Sequence, residues 1–574
     1  MKVPAKCKDL NDVRAEIDRI DSQLIAALGS RLEYVKAASA FKADEKSIPA
    51  PERVAAMLPQ RRIWATKAGL DPNFIEKIFR DIIAWFINEQ ILYYRSKAHG
   101  RHGLSIDHSK LFQMLAAGQA RAKSLGRAVL VSLSQRIEHI DSIRMFDAAR
   151  DSARPTFLWG QENPEFAIVG VDAAHVLEAG GRERFPQVIA AWRSLLDAAL
   201  IERPEGVQGV GPILSGGFSF DPDRPKTPPW NRYADASLIL PKLQLTNTVD
   251  GSYLTLNVVV KAEQAPTVDA EQLKQLWLHL LGHVALDADA EPATDQLLYR
   301  DALPAGQWKQ LVQDAATKIR GGSLQKVVLA REVRAASGQP FAVRRSLERL
   351  RKLYPRAYLF AISRGESCFF GATPERLVRL NANRVEVTAL AGTCRRGATE
   401  SEDQILGEQL LRSAKDQHEH ALVVQMLRDS LHAFCDSLDP PAQAALLKLP
   451  NVQHLYTPLA GHLRSETNLL ELVAALHPTP AVGGLPRASA LAYLRTREQL
   501  DRGWFAAPVG WVDAQGQGEF AVALRSALVA GHEASLFAGC GIVADSEPES
   551  EFAETEHKLR AMMFALGQDE RQPR

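Results

Sequence analysis

Cysteine is scarce in this chain and never paired along it: Cys7, Cys368, Cys394, Cys435 and Cys540 are odd in number, widely separated, and form no C-x-x-C. That pattern excludes a disulfide framework and a structural zinc site and suits a reducing cytosol. Long apolar runs are also missing. No window approaches the roughly 20 apolar residues that a membrane-spanning helix needs. The opening MKVPAKCKDLNDVRAEIDRID turns amphipathic and charged where a signal peptide would carry an apolar core. Nor does one sign of charge dominate: 69 Lys plus Arg stand against 68 Asp plus Glu. The whole-chain field therefore offers no general attraction for nucleic acid or an anionic membrane, and any anion binding must be local. There is no internal repeat and no low-complexity segment. These absences predict a soluble, cytoplasmic protein, and its 574 residues are too many for one hydrophobic core.

What is present falls into two textures. Leu10, Val13, Ile17, Ile20, Leu24 and Leu28 step by three or four residues, the helical period, and the pattern continues through Val35 to Phe41. After a break at IPAP (48–51) a second helix is predicted over 52–67. GLDP (69–72) then supplies a terminating Gly and an Asp-Pro start for a third over 74–96. Residues 1–98 thus read as an all-helical domain. SKAHGRHGLSIDHS (96–109) is polar and aperiodic, and 99–120 reads as a linker region. Over 121–574 short β-branched and aromatic runs take over, such as AVLVSLS, KVVLAREV, SCFFGAT and ASLFAGCGIV. Hairpin chemistry stands at Asp250-Gly251, NAN (381–383) and AQGQG (514–518). This predicts an α+β domain of large antiparallel sheets flanked by helices.

In the helical part, Arg14, Arg31, Lys42 and Arg53, with Gln90 on the third helix, each have an ordinary explanation as solvated surface. Together with IDRIDSQLIAALGSRLEYVKAASAFK, IPAPERVAAMLP and IIAWFINEQILYYR, they resemble the all-helical chorismate mutase family, most closely its isochorismate pyruvate lyase branch, over about residues 5–98. The resemblance implies a homodimer entwined through these helices. Arg14 would reach across from the partner subunit, Arg31 and Lys42 would hold the carboxylates and ether oxygen of the substrate, and Arg53 and Gln90 would lie nearby. No nucleophile or metal is needed: negative charge grows on the ether oxygen as the C–O bond breaks, and a fixed cation there binds the transition state better than the substrate. ADEKSIPAP, just after Lys42, reads as a loop able to close over substrate. Val54 stands where mutases of the family carry a carboxylate, which favours lyase over mutase.

Farther on, KVVLARE (326–332), GATPERL (371–377), ALAGTCRRG (389–397), SAKDQHEH (413–420), HPTPAVGGLPR (477–487), RGWFAAPVGW (502–511), VALRSALV (522–529) and AGCGIVADSEPESEFAETEHKL (538–559) follow one another. Taken singly each is unremarkable strand, turn or helix. In this order they resemble the chorismate-utilising enzymes, which include isochorismate, salicylate and anthranilate synthases. The resemblance implies Lys326 as general base and Glu375 as general acid in a substitution with allylic shift, water adding at C2 of chorismate while the C4 hydroxyl leaves. The Lys would need a depressed pKa and the Glu a raised one. Lys rather than Gln at 326 implies water, not ammonia, as nucleophile.

The same resemblance places Arg525, Lys558 and the Gly541 N–H on the side-chain carboxylate, Ala391, Gly392 and Thr393 along the ring, and Phe505 and Cys540 in lesser roles. His477 reads either as a site residue or as a structural histidine in a Pro-rich turn. Mg²⁺ on the ring carboxylate would be held by Glu419 and Glu554, with Glu551 one helical turn earlier on the same face. KDQHEH itself is no zinc site: His418 and His420 lie about 200° apart around a helix, whereas Lys415, His418, Glu419 and Leu422 share a face. Two families for consecutive steps imply bifunctional salicylate formation from chorismate through isochorismate, with a siderophore as destination. Two alternatives stay open. The C-terminal domain could perform both steps beside a helical domain with mutase activity, or the helical domain could be a non-catalytic dimerisation or regulatory module.

Overall fold

The computed structural model describes residues 7–38, 41–42, 48, 50–98, 104–150, 154–162, 165–284, 297–450, 452–464 and 467–568. They divide into two compact units, one of residues 1–105 with 274–290, the other of 106–273 with 291–574. Among the described residues no helix is long and apolar enough to cross a membrane, and all five cysteines are free thiols.

In the smaller unit the three predicted helices form as α1 (Leu10–Ala38), α2 (Pro51–Lys67) and α3 (Pro72–Ala98). Proline opens α2 and α3, where its missing N–H costs nothing. Gly69, at φ 72°, ends the turn after α2 in the left-handed conformation. Asp71 Oδ1 accepts the Asn73 N–H at 2.9 Å at the start of α3. None of α1's residues is buried, and Leu10, Val13, Ile17, Ile20, Leu24 and Ile25 are exposed along it. Of the expected closing loop ADEKSIPAP (43–51), residues 43–47 and 49 lie outside the described residues; Ile48 is buried and Pro51 already belongs to α2.

The expected linker over 99–120 is corrected by the structure: His108–Leu125 is a helix of the larger unit. Asp107 caps it by accepting the Lys110 N–H at 3.0 Å, and Gly126, at φ 64°, ends it. Its buried face is Leu111, Leu115, Gly118 and Ala122. Two of those four are small, which hides the apolar period. Gly118 is required, because a Cβ there would collide with Val131 Cγ2.

The larger unit is organised by one long strand, Ala236–Thr248. One edge pairs along its length with Phe166–Ala179; the other pairs first with Ile213–Phe218 and then with Gly251–Val260. Two sheets grow from this shared strand. The first continues from Phe166–Ala179 through Thr156–Gln161, Tyr358–Arg364, Ser367–Thr373, Ser526–Ala530 and Glu533–Ile542 to Lys326–Ala336. The second continues from Ile213–Phe218 through Pro508–Asp513, Gly518–Val522, Arg376–Asn381 and Arg384–Arg395 to Val452–Leu463. Pairing is antiparallel throughout these ladders, and the three predicted hairpins form. Leu200–Glu202 runs parallel to Val129–Ile137. Both sheets contribute to one apolar core in which Trp159, Trp230, Trp504 and Trp511 are buried.

A polar tie joins the sheets across that core. Glu519 Oε1, from the second sheet, accepts from Tyr358 OH of the first at 2.8 Å and from Arg376 Nε at 2.8 Å. Trp159 stacks on the Tyr358 ring at 5.2 Å. Removing the carboxylate leaves the buried Tyr358 hydroxyl without its acceptor and takes one of two carboxylates from Arg376, which keeps Glu386 at 2.8 Å. Glu519→Ala is therefore expected to cost about 2–4 kcal/mol, read as the shift of the urea unfolding midpoint; no shift would deny the tie its role.

Candidate active site

In the larger unit, every residue implied above as base, acid, substrate contact or metal ligand lines one pocket. The sheet ladder explains part of this convergence. Lys326 opens a strand whose one edge pairs with Leu298–Asp301 and Gly484–Leu485, and the Glu533–Ile542 strand on its other edge sets Gly541 opposite Val328. Helix Ala414–His432 packs against strand Arg384–Arg395 and brings Glu419; helix Pro548–Leu566 packs against strand Glu533–Ile542 and brings Glu551, Glu554 and Lys558.

Lys326 is 1 % exposed, and its Nζ lies 2.7 Å from Glu419 Oε1. A Cβ on Gly541 would stand 2.7 Å from that oxygen and 2.8 Å from Lys326 Cε, so any side chain there would push the Lys326–Glu419 contact apart. Glu375 is 4 % exposed. Burial pushes its carboxyl up to about 8, against a partial opposing pull from the Lys326 and Lys558 ammonium groups. It is accordingly a neutral proton donor at pH 7, as the acid role requires.

Arg525 is buried at φ 47°, a left-handed conformation that a non-glycine residue adopts at a cost. Its Nη2 lies 2.9 Å from His454 Nε2, and His454 Nδ1 lies 2.9 Å from Thr393 Oγ1. Arginine only donates, so Nε2 accepts and Nδ1–H donates to Thr393. Burial, with the charges of Arg525 and Lys558, holds His454 well below the usual histidine range and thus neutral. Arg525 Nη1 is buried with no hydrogen-bond partner. Such an orphaned donor beside a pocket fits a carboxylate. Phe505 stacks on Phe537 at 5.2 Å and supplies an apolar wall.

The implied metal ligands share the pocket, but each is held by a lysine: Glu419 by Lys326 at 2.7 Å, Glu551 by Lys415 at 3.3 Å and Glu554 by Lys558 at 2.7 Å. Among the described residues no three acidic, His or Cys side chains stand close enough to hold an ion. The donor chemistry nevertheless fits a hard cation. Burial and the Glu554 charge push Glu551 up; burial does the same to Asp416, and Glu419 and Glu554 add to it. These acids are crowded and short of positive charge.

In KDQHEH, Ser413 caps the helix by accepting the Asp416 N–H at 3.2 Å, and Glu419 faces the pocket. His418 is exposed, while His420 is buried with Nε2 at 2.8 Å from Thr457 Oγ1. His477 is structural: Nε2–H donates to Phe220 O at 3.1 Å, and burial drives its pKa to about 3. Sequence reasoning missed His454, whose partners Thr393 and Arg525 lie 61 and 71 residues away. It also missed Arg502, which pairs with Glu498 at 2.6 Å and donates to Val328 O and Val482 O, pinning the Lys326 strand. The RGWF motif pointed at Arg502 without indicating that role.

The smaller unit holds a second cluster. The Arg31 guanidinium lies 4.2 Å over the Phe86 ring, and Gln90 stands one turn farther along α3. Arg31 Nη1 and Gln90 Nε2 are both buried without a partner among the described residues. Burial and the nearby Arg61 charge lower the Arg31 pKa, so Arg61, overlooked in the sequence, is close by. Lys42 is half-buried, and Arg14 and Arg53 are exposed. Arg14 precedes Arg31 by 31 − 14 = 17 residues of one helix, about 25 Å along the axis. Within one chain it does not join this cluster.

Residues 115–567 match the chorismate binding enzyme family, and residues 13–91 match chorismate mutase type II. The chain belongs to the chorismate binding enzyme family. It is 41 % identical over 456 residues to the salicylate biosynthesis isochorismate synthase of Pseudomonas aeruginosa, covering 79 % of this chain and 92 % of that one. To isochorismate synthase MenF of Bacillus subtilis it is 36 % identical, covering 79 % and 96 %. The solved structure of MenF, the menaquinone-specific isochorismate synthase from Escherichia coli, superposes with a TM-score of 0.64 at 28 % identity, covering 79 % of this chain and all of that one.

The raised Glu375 pKa has a thermodynamic signature. Its folded value near 8 lies above the ordinary 4.5, so this carboxyl's contribution to stability is complete below pH 4.5 and lost as pH rises to about 8. Glu375→Gln, which cannot ionise, is expected to match wild type in urea unfolding at pH 4.5 and to exceed it at pH 9. Equal stability at both pH values would refute the shift.

Proposed function

We propose that the larger unit converts chorismate to isochorismate and that the helical unit then eliminates pyruvate from isochorismate to give salicylate. The observation that carries the first step is the neutral, buried Glu375 carboxyl in one pocket with the buried Lys326 amine. Glu375 gives its proton to the departing C4 hydroxyl. Lys326, released from Glu419 and having first given its ammonium proton to solvent, takes as a neutral amine the proton of the water that adds at C2. Arg525, aimed by His454, offers Nη1 to the side-chain carboxylate, assisted by Gly541 N–H and Lys558. Glu419, Glu551 and Glu554 would hold a Mg²⁺, which would supply the counter-charge to the ring carboxylate. The names of the relatives from Pseudomonas and Bacillus support water as nucleophile, and the former supports salicylate as destination.

For the second step the support is the pair of unpartnered buried donors, Arg31 Nη1 and Gln90 Nε2, with Lys42 on the same unit. Lys42 opposes the charge that grows on the ether oxygen, and Arg31 and Gln90 hold carboxylate. The uncovered apolar stripe of α1, together with Arg14's distance from Arg31, favours a second copy that closes the site as a homodimer.

Incubating the full chain with chorismate and Mg²⁺ while following isochorismate, salicylate and pyruvate tests the scheme. Glu375→Gln is expected to lower isochorismate formation by about 10²–10⁴-fold, and wild-type turnover should fall as pH rises through about 8. Lys42→Ala should accumulate isochorismate without salicylate; undiminished salicylate would assign both steps to the larger unit. Mixing inactive Arg14→Ala and Arg31→Ala chains should restore part of the pyruvate release, because a mixed dimer has one intact site. No restoration would rule out a shared site.

A further inference from the structure

The three lysines that hold the acidic wall differ in freedom. The Lys326 side chain is 1 % exposed; that of Lys558 is 21 % exposed, and its Nζ also donates to Gly539 O at 2.9 Å. The Lys415 side chain is 40 % exposed, and its contact with Glu551, at 3.3 Å, is the longest of the three. Glu551, by contrast, has a side chain only 4 % exposed and lies beside Glu554.

We propose that Lys415 is a built-in competitor for the divalent cation: its ammonium occupies Glu551 in the ion-free pocket and swings out into solvent when the ion binds. The inference rests on the metal reading above. A carboxylate as buried as Glu551 is costly without a counter-charge. Lys415 provides that charge from a flexible four-carbon stem whose ammonium is readily rehydrated. Lys326 and Lys558 are enclosed and have further work at the substrate, so Lys415 is the one suited to leave. Its strength as a competitor then sets how tightly the resting pocket holds the ion.

Ion binding to the substrate-free full chain decides the matter, with Mg²⁺ followed by calorimetry and Mn²⁺ by electron paramagnetic resonance. Lys415→Gln and Lys415→Met are each expected to bind about three- to tenfold tighter than wild type, and Lys415→Arg to stay within about twofold of it. Arg412→Gln removes a neighbouring cation from an exposed pair with Glu408 and should leave the affinity unchanged. If wild type binds the ion and the Lys415 variants bind no tighter, the competitor role is wrong. Equal tightening by Arg412→Gln would reduce the effect to overall charge and also overturn it. Should wild type bind neither ion, the metal reading itself falls and takes this inference with it.

Discussion

The contact between Lys326 and Glu419, 2.7 Å apart in the floor of the pocket, is the constraint around which the larger unit is built. A lysine 1 % exposed is tolerable only with a partner in good geometry. Delivering that partner requires a helix capped by Ser413, a sheet that backs it, and a neighbouring strand that carries no side chain at Gly541. The Glu498–Arg502 pair secures the opposite flank by holding the carbonyls of Val328 and Val482. Structural work and chemical poise thus fall on the same residues.

Around this contact the pocket separates its charges by environment. Glu375 sits where burial outweighs the pull of two ammonium groups and stays neutral. Glu419 has its lysine in hydrogen-bond contact, and its carboxyl is pulled down in spite of burial. Two carboxyl groups in one cavity are thereby pushed in opposite senses, the arrangement that suits one to proton donation and the other to pairing with a cation.

The sequence exposed much of this and hid a definable part. The helical period from Leu10 onward, the hairpin residues and the order of the motifs carried the fold class and the pocket's residue set. Helix His108–Leu125 escaped because Gly118 and Ala122, half of its buried face, carry almost no apolar signal. His454 escaped because one histidine inside a strand looks ordinary until folding sets it between Thr393 and Arg525. Ion pairing between elements was illegible for a similar reason. Glu554 and Lys558 pair at the i, i+4 spacing of one helix, but nothing in the spacing ties Glu551 to Lys415 or Glu419 to Lys326, because those contacts join elements far apart in the chain.

The two units, unrelated in architecture, leave the same kind of vacancy. Arg525 Nη1 is stranded in the larger unit, and Arg31 Nη1 and Gln90 Nε2 in the smaller. Each unsatisfied buried donor costs the folded state about 1–3 kcal/mol, a cost that a bound carboxylate would relieve. In the proposed sequence the cost has one explanation for both units. Isochorismate retains both carboxylates of chorismate, so the same pair of anions has to be recognised twice. The sheet unit does so with a guanidinium fixed by a neutral histidine. In that proposal the helical unit would do so with a guanidinium braced on an aromatic ring, in a bundle whose long first helix shows an exposed apolar stripe.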